Sequence, residues 1–184
     1  MKPGVRALGI AESAGRSRSI IAGAIVSARG RLDGLGFEPC PTGGLAATDA
    51  ILALWSRLGR DDVQFLLIAG VAPAWYDVID FHTVAHRVEV PVLALTFERG
   101  GDLAPHIRSQ FGGPAATERL RRYRDLPRQR QVELDGEEVF VRACNLGDRD
   151  PALICRHFTV AGGRPEPIRV ARLAARAYRA NRSG

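Results

Sequence analysis

Lysine is almost missing from this chain. Lys2 is the only one in 184 residues, so the net charge of +6 rests on arginine. Two readings of that arginine excess stand open: codon usage in a GC-rich genome, and phosphate binding, which suits the planar guanidinium fork. Cysteine is scarce as well. Cys40, Cys144 and Cys155 are odd in number, far apart, and include no C-x-x-C pair. Neither a disulfide framework nor a zinc site is indicated. Neither Cys144 nor Cys155 has a basic partner at catalytic spacing. Long apolar runs are absent: nothing approaches the ~18 residues needed to span a bilayer. No cleavable apolar segment precedes the first strand, so no membrane partner and a cytoplasmic location are expected. Both nucleotide-phosphate fingerprints, G-x-G-x-x-G and the Walker loop, are missing. Gly34–Leu35–Gly36 reads as a distorted strand. Internal repeats and long linkers are absent too, and a single domain over residues 1–184 is expected, large enough to bury a core without metals or disulfides.

What is present is an α/β pattern. Val5–Ser13 (V-R-A-L-G-I-A-E-S) is short, continuously apolar and ends in a polar step, as a buried central strand does. Ile20–Ala28 and Gly30–Phe37 read as two further strands, completing an antiparallel meander. Pro39–Gly44 reads as a loop holding Cys40. In Ala46–Leu58, Ala47, Ile51, Leu54 and Leu58 repeat at helical spacing, with Gly59 as the stop. Val63–Val71 and Pro91–Phe97 read as buried strands, separated by the Pro73–Tyr76 break and a helix over Asp77–Val88. Two short helices, Asp102–Phe111 and Ala115–Tyr123, follow. Asp135–Gly136 signals a hairpin within Gln131–Ala143. Pro151–Phe158 and Pro165–Arg179 read as the last helices. The expected fold is therefore α/β, an antiparallel meander followed by parallel strands in one mixed sheet, with flanking helices.

Four blocks carry a resemblance: G-V-R-A-L-G-I-A-E-S at 4–13, L-L-I-A-G-V at 66–71, D-V-I-D at 77–80 and G-G-R-P-E-P-I-R-V-A-R-L-A at 162–174. Together they resemble the endonuclease V superfamily, and more closely its uncharacterised, mainly archaeal sister family, domain of unknown function ninety-nine. The resemblance runs from about Gly4 to Ala177 and implies a ribonuclease-H-like fold. It also implies an ancestral nuclease that cuts deaminated nucleic acid near inosine with Mg²⁺ held by carboxylates. Such chemistry needs a hard cation to activate water and offset charge on the departing oxygen.

At the positions that matter, the chain departs from the family. The first-strand aspartate is Ala11, the aspartate before glycine in the next central strand is Ala69, and the polar residue of the last helix is Arg172. No metal site is expected there. Glu12 and Asp49 remain as carboxylate remnants. Glu12 cannot simply replace position 11, because neighbouring strand residues face opposite sides.

Other constellations are weaker. His82 and His86 have metal-ligand spacing, but Thr83 stands where a zincin has glutamate and no third ligand follows; flanking an apolar stripe is the better reading. Glu166 suits the start of a helix dipole. Arg169, Arg172, Arg176 and Arg179 form one stripe on the last helix, and Arg119, Arg121, Arg122, Arg124, Arg128 and Arg130 make a second cluster. Trp75 and Tyr76 follow a central strand, where stacking on a base and packing are both open. The leading reading is a catalytically degenerate endonuclease V-like protein that binds DNA or RNA through arginine-rich helices, with no cofactor. Two alternatives remain: a Mg²⁺-dependent nuclease rebuilt on Glu12 and Asp49, with Asp77 or Asp80, and a scaffold for a protein partner.

Overall fold

The computed structural model describes residues 4–58 and 60–182. Seven strands form one mixed sheet in the order β3-β2-β1-β4-β5-β7-β6. The strands are β1 (Arg6–Ser13), β2 (Arg18–Ser27), β3 (Leu32–Pro41), β4 (Val63–Ala69), β5 (Val92–Thr96), β6 (Arg130–Leu134) and β7 (Glu137–Cys144). The first three make the antiparallel meander, and β4 and β5 join parallel to β1. The β6–β7 hairpin then extends the far side, antiparallel to β5. It turns at Asp135 and Gly136, whose φ values of +51° and +80° match the aspartate–glycine signal. The expected ribonuclease-H-like architecture is thus present.

Helices cover both faces. On one side lie α1 (Ala47–Leu58), α3 (Phe81–Val88), α4 (Leu103–Gln110) and α5 (Gly113–Arg124); on the other lie α6 (Pro151–His157) and α7 (Glu166–Ala180). Leu8 and Ile10 of β1 pack toward α1, whereas Ala7 and Ala11 pack toward the α7 side. That double burial is why β1 is apolar without interruption. Each large aliphatic chain so buried contributes about 1.5–3 kcal/mol. Gly9 answers a separate need. A Cβ there would lie 2.1 Å from the carbonyl carbon of Pro167, so the first turn of α7 rests directly on the β1 backbone.

Three boundaries differ from expectation. β3 runs through Pro41, and Cys40 is fully buried in it rather than held in a loop. Pairing of Ser19 with Cys40 extends the ladder, and Pro39 and Pro41 are tolerated because β3 is an edge strand. The helix expected from Asp77 starts at Phe81, because Asp77 serves another helix: the Ala47 amide at the head of α1 donates to its Oδ2 at 2.7 Å. Pro73–Tyr76 is a single turn, α2, in which Ala74, Trp75 and Tyr76 have φ of +51°, +64° and +59°. Gly59, the expected stop of α1, lies outside the described residues.

Candidate nucleic-acid interface

The carboxyl ends of β1, β4 and β5 open into two cavities, one on each face of the sheet, which share Ala69, Gly70 and Thr96. This is where open α/β sheets bind ligands. On the α1 side the cavity is about 380 Å³ and is lined by Glu12, Val71, Trp75, Tyr76, Tyr123, Gln129 and Arg142, among others. Glu12 Oε1 is buried there without a hydrogen-bond partner. On the α7 side the cavity is about 210 Å³ and includes Phe97, Glu98, Arg164 and Arg172.

Ala11 packs with Ala24, Val26 and Ala171 in an apolar seam beneath α7, with Ala69 against it. Asp49 is exposed on the first turn of α1 and is not part of the cleft that Glu12 lines. Asp80 caps α3 by accepting from the Thr83 amide at 3.0 Å. Asp77 is fully buried, with Oδ1 lacking a hydrogen bond and 3.9 Å from Arg122 Nη1. Burial pushes its carboxyl up to about 6, against the downward pull of the Ala47 amide and of Arg122 and Arg119. Among the described residues no three of His, Cys, Asp and Glu gather as a metal site. Two methyls and a guanidinium do not supply the oxygen donors that a hard divalent cation takes, and Glu12 and Asp49 are not brought together in one cleft. His82 and His86 are exposed, and His82 Nε2 lies 2.9 Å from the carbonyl oxygen of Asp125. Burial pushes the thiols of Cys40 and Cys155 up to about 12 and raises that of Cys144 as well, consistent with the absence of a cysteine nucleophile.

The arginines divide into two populations. In α7, Arg169 is tied to Glu166 by two bonds of 2.8 and 2.7 Å, and Arg179 donates to Ser13 Oγ at 2.9 Å. Arg172 is half-buried at the smaller cavity, and Arg176, one turn further along α7, is exposed. In the second cluster two arginines are committed to carboxylates. Arg121 and Arg122 both hold Glu118, whose carboxyl they pull down to about 2. Arg121 also meets Asp80 and Asp125. Arg119 is buried, donating to the carbonyls of Tyr76 at 3.0 Å, Ala115 at 2.9 Å, Gly43 at 2.6 Å, and Gly44. Its guanidinium lies 3.8 Å from the centroid of Phe111. Arg119 thus clamps the left-handed turn that sets Trp75 and Tyr76 at the cavity mouth, with Trp75 56% exposed.

Arg164 is the residue that sequence reading missed. Its guanidinium lies 4.0 Å from the Phe97 centroid, in the smaller cavity with Arg172. The only signal available was its place in the G-G-R-P-E-P block, where the stretch reads as plain loop.

Residues 3–179 match the family model described as endonuclease dU. The chain belongs to the endonuclease dU family. A UPF0215 protein of Pyrobaculum calidifontis is 28% identical over 166 residues, covering 88% of each chain. Among solved structures, a protein of unknown function from Archaeoglobus fulgidus superimposes with a TM-score of 0.83 at 19% identity, over 95% of this chain and 98% of that one. Endonuclease V of Ciona intestinalis, in complex with a DNA containing an inosine, superimposes at 0.62 with 13% identity over 96% and 87%. The endonuclease V-like fold and family expected from the four blocks are therefore both present.

Proposed function

We propose that this endonuclease dU family chain, acting as one domain in the cytoplasm, binds nucleic acid without cutting it. One observation carries the reading: the positions where the family resemblance calls for metal-holding groups are Ala11, Ala69 and Arg172, and the Ala11 methyl is packed into an apolar seam. The family model's description and the inosine-containing DNA on the Ciona relative support a deaminated base in a DNA or RNA strand as the ligand. In this reading the base enters the larger cavity. Tyr76 and Trp75 offer ring faces for stacking, each such contact worth about 1–3 kcal/mol. Glu12 accepts from a ring N–H of the base through its unpartnered oxygen. Arg172 and Arg176 hold the backbone, with Arg169 and Arg179 along the same helix face.

The rival, a Mg²⁺-dependent nuclease rebuilt on Glu12 and Asp49, requires both carboxylates in one cleft. Glu12 lines it and Asp49 does not. The deciding experiment uses labelled single- and double-stranded oligonucleotides carrying deoxyuridine or inosine, with Mg²⁺, with Mn²⁺ and with chelator. Binding in all three conditions with no product is expected. Metal-dependent product that disappears in Glu12→Gln or Asp49→Asn would overturn the reading.

A further inference from the structure

The smaller cavity is walled by two arginines, Arg164 and Arg172. Arg164 follows the Gly162–Gly163 turn and lays its guanidinium over Phe97 at 4.0 Å, which fixes the plane of its fork. Its Nη1 is buried and has no hydrogen-bond partner. Arg172 lines the same space, beside Ala69, Gly70 and Thr96. Arg176 is near enough for its charge to act on Arg164. Among the described residues none of these three arginines has an ion-pair partner, in contrast to Arg169, Arg121 and Arg122. The opposing charge that acts on Arg164 is that of Glu98, which is exposed. Burial first, then Arg172 and Arg176, push the Arg164 guanidinium below its ordinary range. Gathered cations repel, and a buried N–H without an acceptor is unfavourable. A tetrahedral oxyanion removes both penalties at once, because guanidinium forks meet its oxygens in pairs. The space of about 210 Å³ admits one.

We propose that this cavity is a metal-independent phosphate site, ligated by Arg164 and Arg172 with Arg176 close by on α7. The proposal rests on the nucleic-acid reading only for what bears the phosphate, a strand or a free nucleotide. Chemically the two present the same group.

The test is calorimetry in chelator with three probes: inorganic phosphate, a nucleoside monophosphate, and a short single-stranded oligonucleotide carrying deoxyuridine. Each is repeated with magnesium. Phosphate is expected to bind in chelator, with no gain from magnesium. Arg164→Gln and Arg172→Gln are each expected to weaken it about tenfold or more, the effect of removing one charge-assisted fork. Arg108→Gln, on the α4 side of the sheet, is the charge-matched control and should stay within about twofold. Circular dichroism checks folding. Should Arg164→Gln unfold because nothing then stacks on Phe97, Arg172→Gln and Arg176→Gln carry the comparison. A monophosphate that binds as well as the oligonucleotide identifies a free nucleotide as the bearer; tighter oligonucleotide binding identifies a strand. Either supports the site. Oligonucleotide binding with no phosphate binding and no weakening in the variants overturns the site and leaves the nucleic-acid reading standing. Silence from all three probes overturns both.

Discussion

Arg119 and Asp77 are buried charges with opposite prospects. Every Arg119 hydrogen bond is to a carbonyl oxygen, so the guanidinium is satisfied without a carboxylate, and it fastens α5 to the Gly43–Gly44 loop and the α2 turn. Three consecutive left-handed residues strain that turn by about 1–2 kcal/mol each, and the clamp helps to hold them. Arg119→Met should lower stability by roughly 3 kcal/mol or more, since several carbonyls are left without a donor in a dry setting. Urea unfolding measures this, and a decrease below about 1 kcal/mol would contradict the clamp. Asp77 is the reverse case, with one oxygen on the α1 amide and the other without a hydrogen bond, 3.9 Å from Arg122 Nη1. Its carboxyl is raised from 3.8 to about 6 on folding, so the native state holds the proton more tightly than the unfolded chain does. Its contribution is therefore full below about pH 4 and declines as pH rises to about 6. Asp77→Asn, which keeps an acceptor for Ala47 and stays neutral, should remove that decline. Relative to wild type the variant should gain on the order of 2–3 kcal/mol between those limits. A constant stability difference between the two proteins over that range would refute the assignment.

At the scale of elements, the packing of α7 on β1 sets the geometry of both cavities, because Arg172 and Arg176 are carried on α7 and Glu12 on β1. Gly9→Ala places a methyl 2.1–2.2 Å from the Pro167 carbonyl, where only backbone can yield. The destabilisation should exceed the usual overpacking range of about 1–3 kcal/mol. Gly23→Ala is the comparison: its methyl meets side-chain ends at 3.2 and 3.3 Å and should be milder. Equal thermal midpoints for the two variants would mean that α7 can lift without penalty. Sequence periodicity sufficed for the strands and most helices, since a strand buried on both faces and a helix with one apolar stripe advertise themselves locally. Pro39 and Pro41 misled because proline ordinarily marks a break, and only an edge position lets a strand carry two. The start of α3 was misplaced because Asp77 is committed to α1, 30 residues away. In the site, the reading of positions 11, 69 and 172 comes from the resemblance alone. Arg164 and Arg119 were not legible: one becomes a cavity wall and the other a clamp only once distant segments converge.

Over the whole molecule, α5 carries two arginines committed to carboxylates, Arg121 and Arg122, whereas Arg172 and Arg176 of α7 have no ion pair among the described residues. A count of positive residues treats them alike; nucleic acid will not. Arg121→Gln should leave oligonucleotide affinity within about twofold, while Arg176→Gln should weaken it and flatten its salt dependence. For a single strand the slope of log affinity against log salt changes by about 0.7 for each phosphate no longer neutralised. Fluorescence anisotropy across a salt series separates the two, and equal effects would dissolve the distinction. The borders of the sheet bear on a different behaviour. A strand that ends a sheet invites another chain to continue its ladder. At one border Pro39 and Pro41 withhold two of the outward amides such an addition needs; at the other, β6 presents the exposed charges of Arg130 and Glu133. Copies of this protein crowded together should therefore not extend one another's sheets into fibrils.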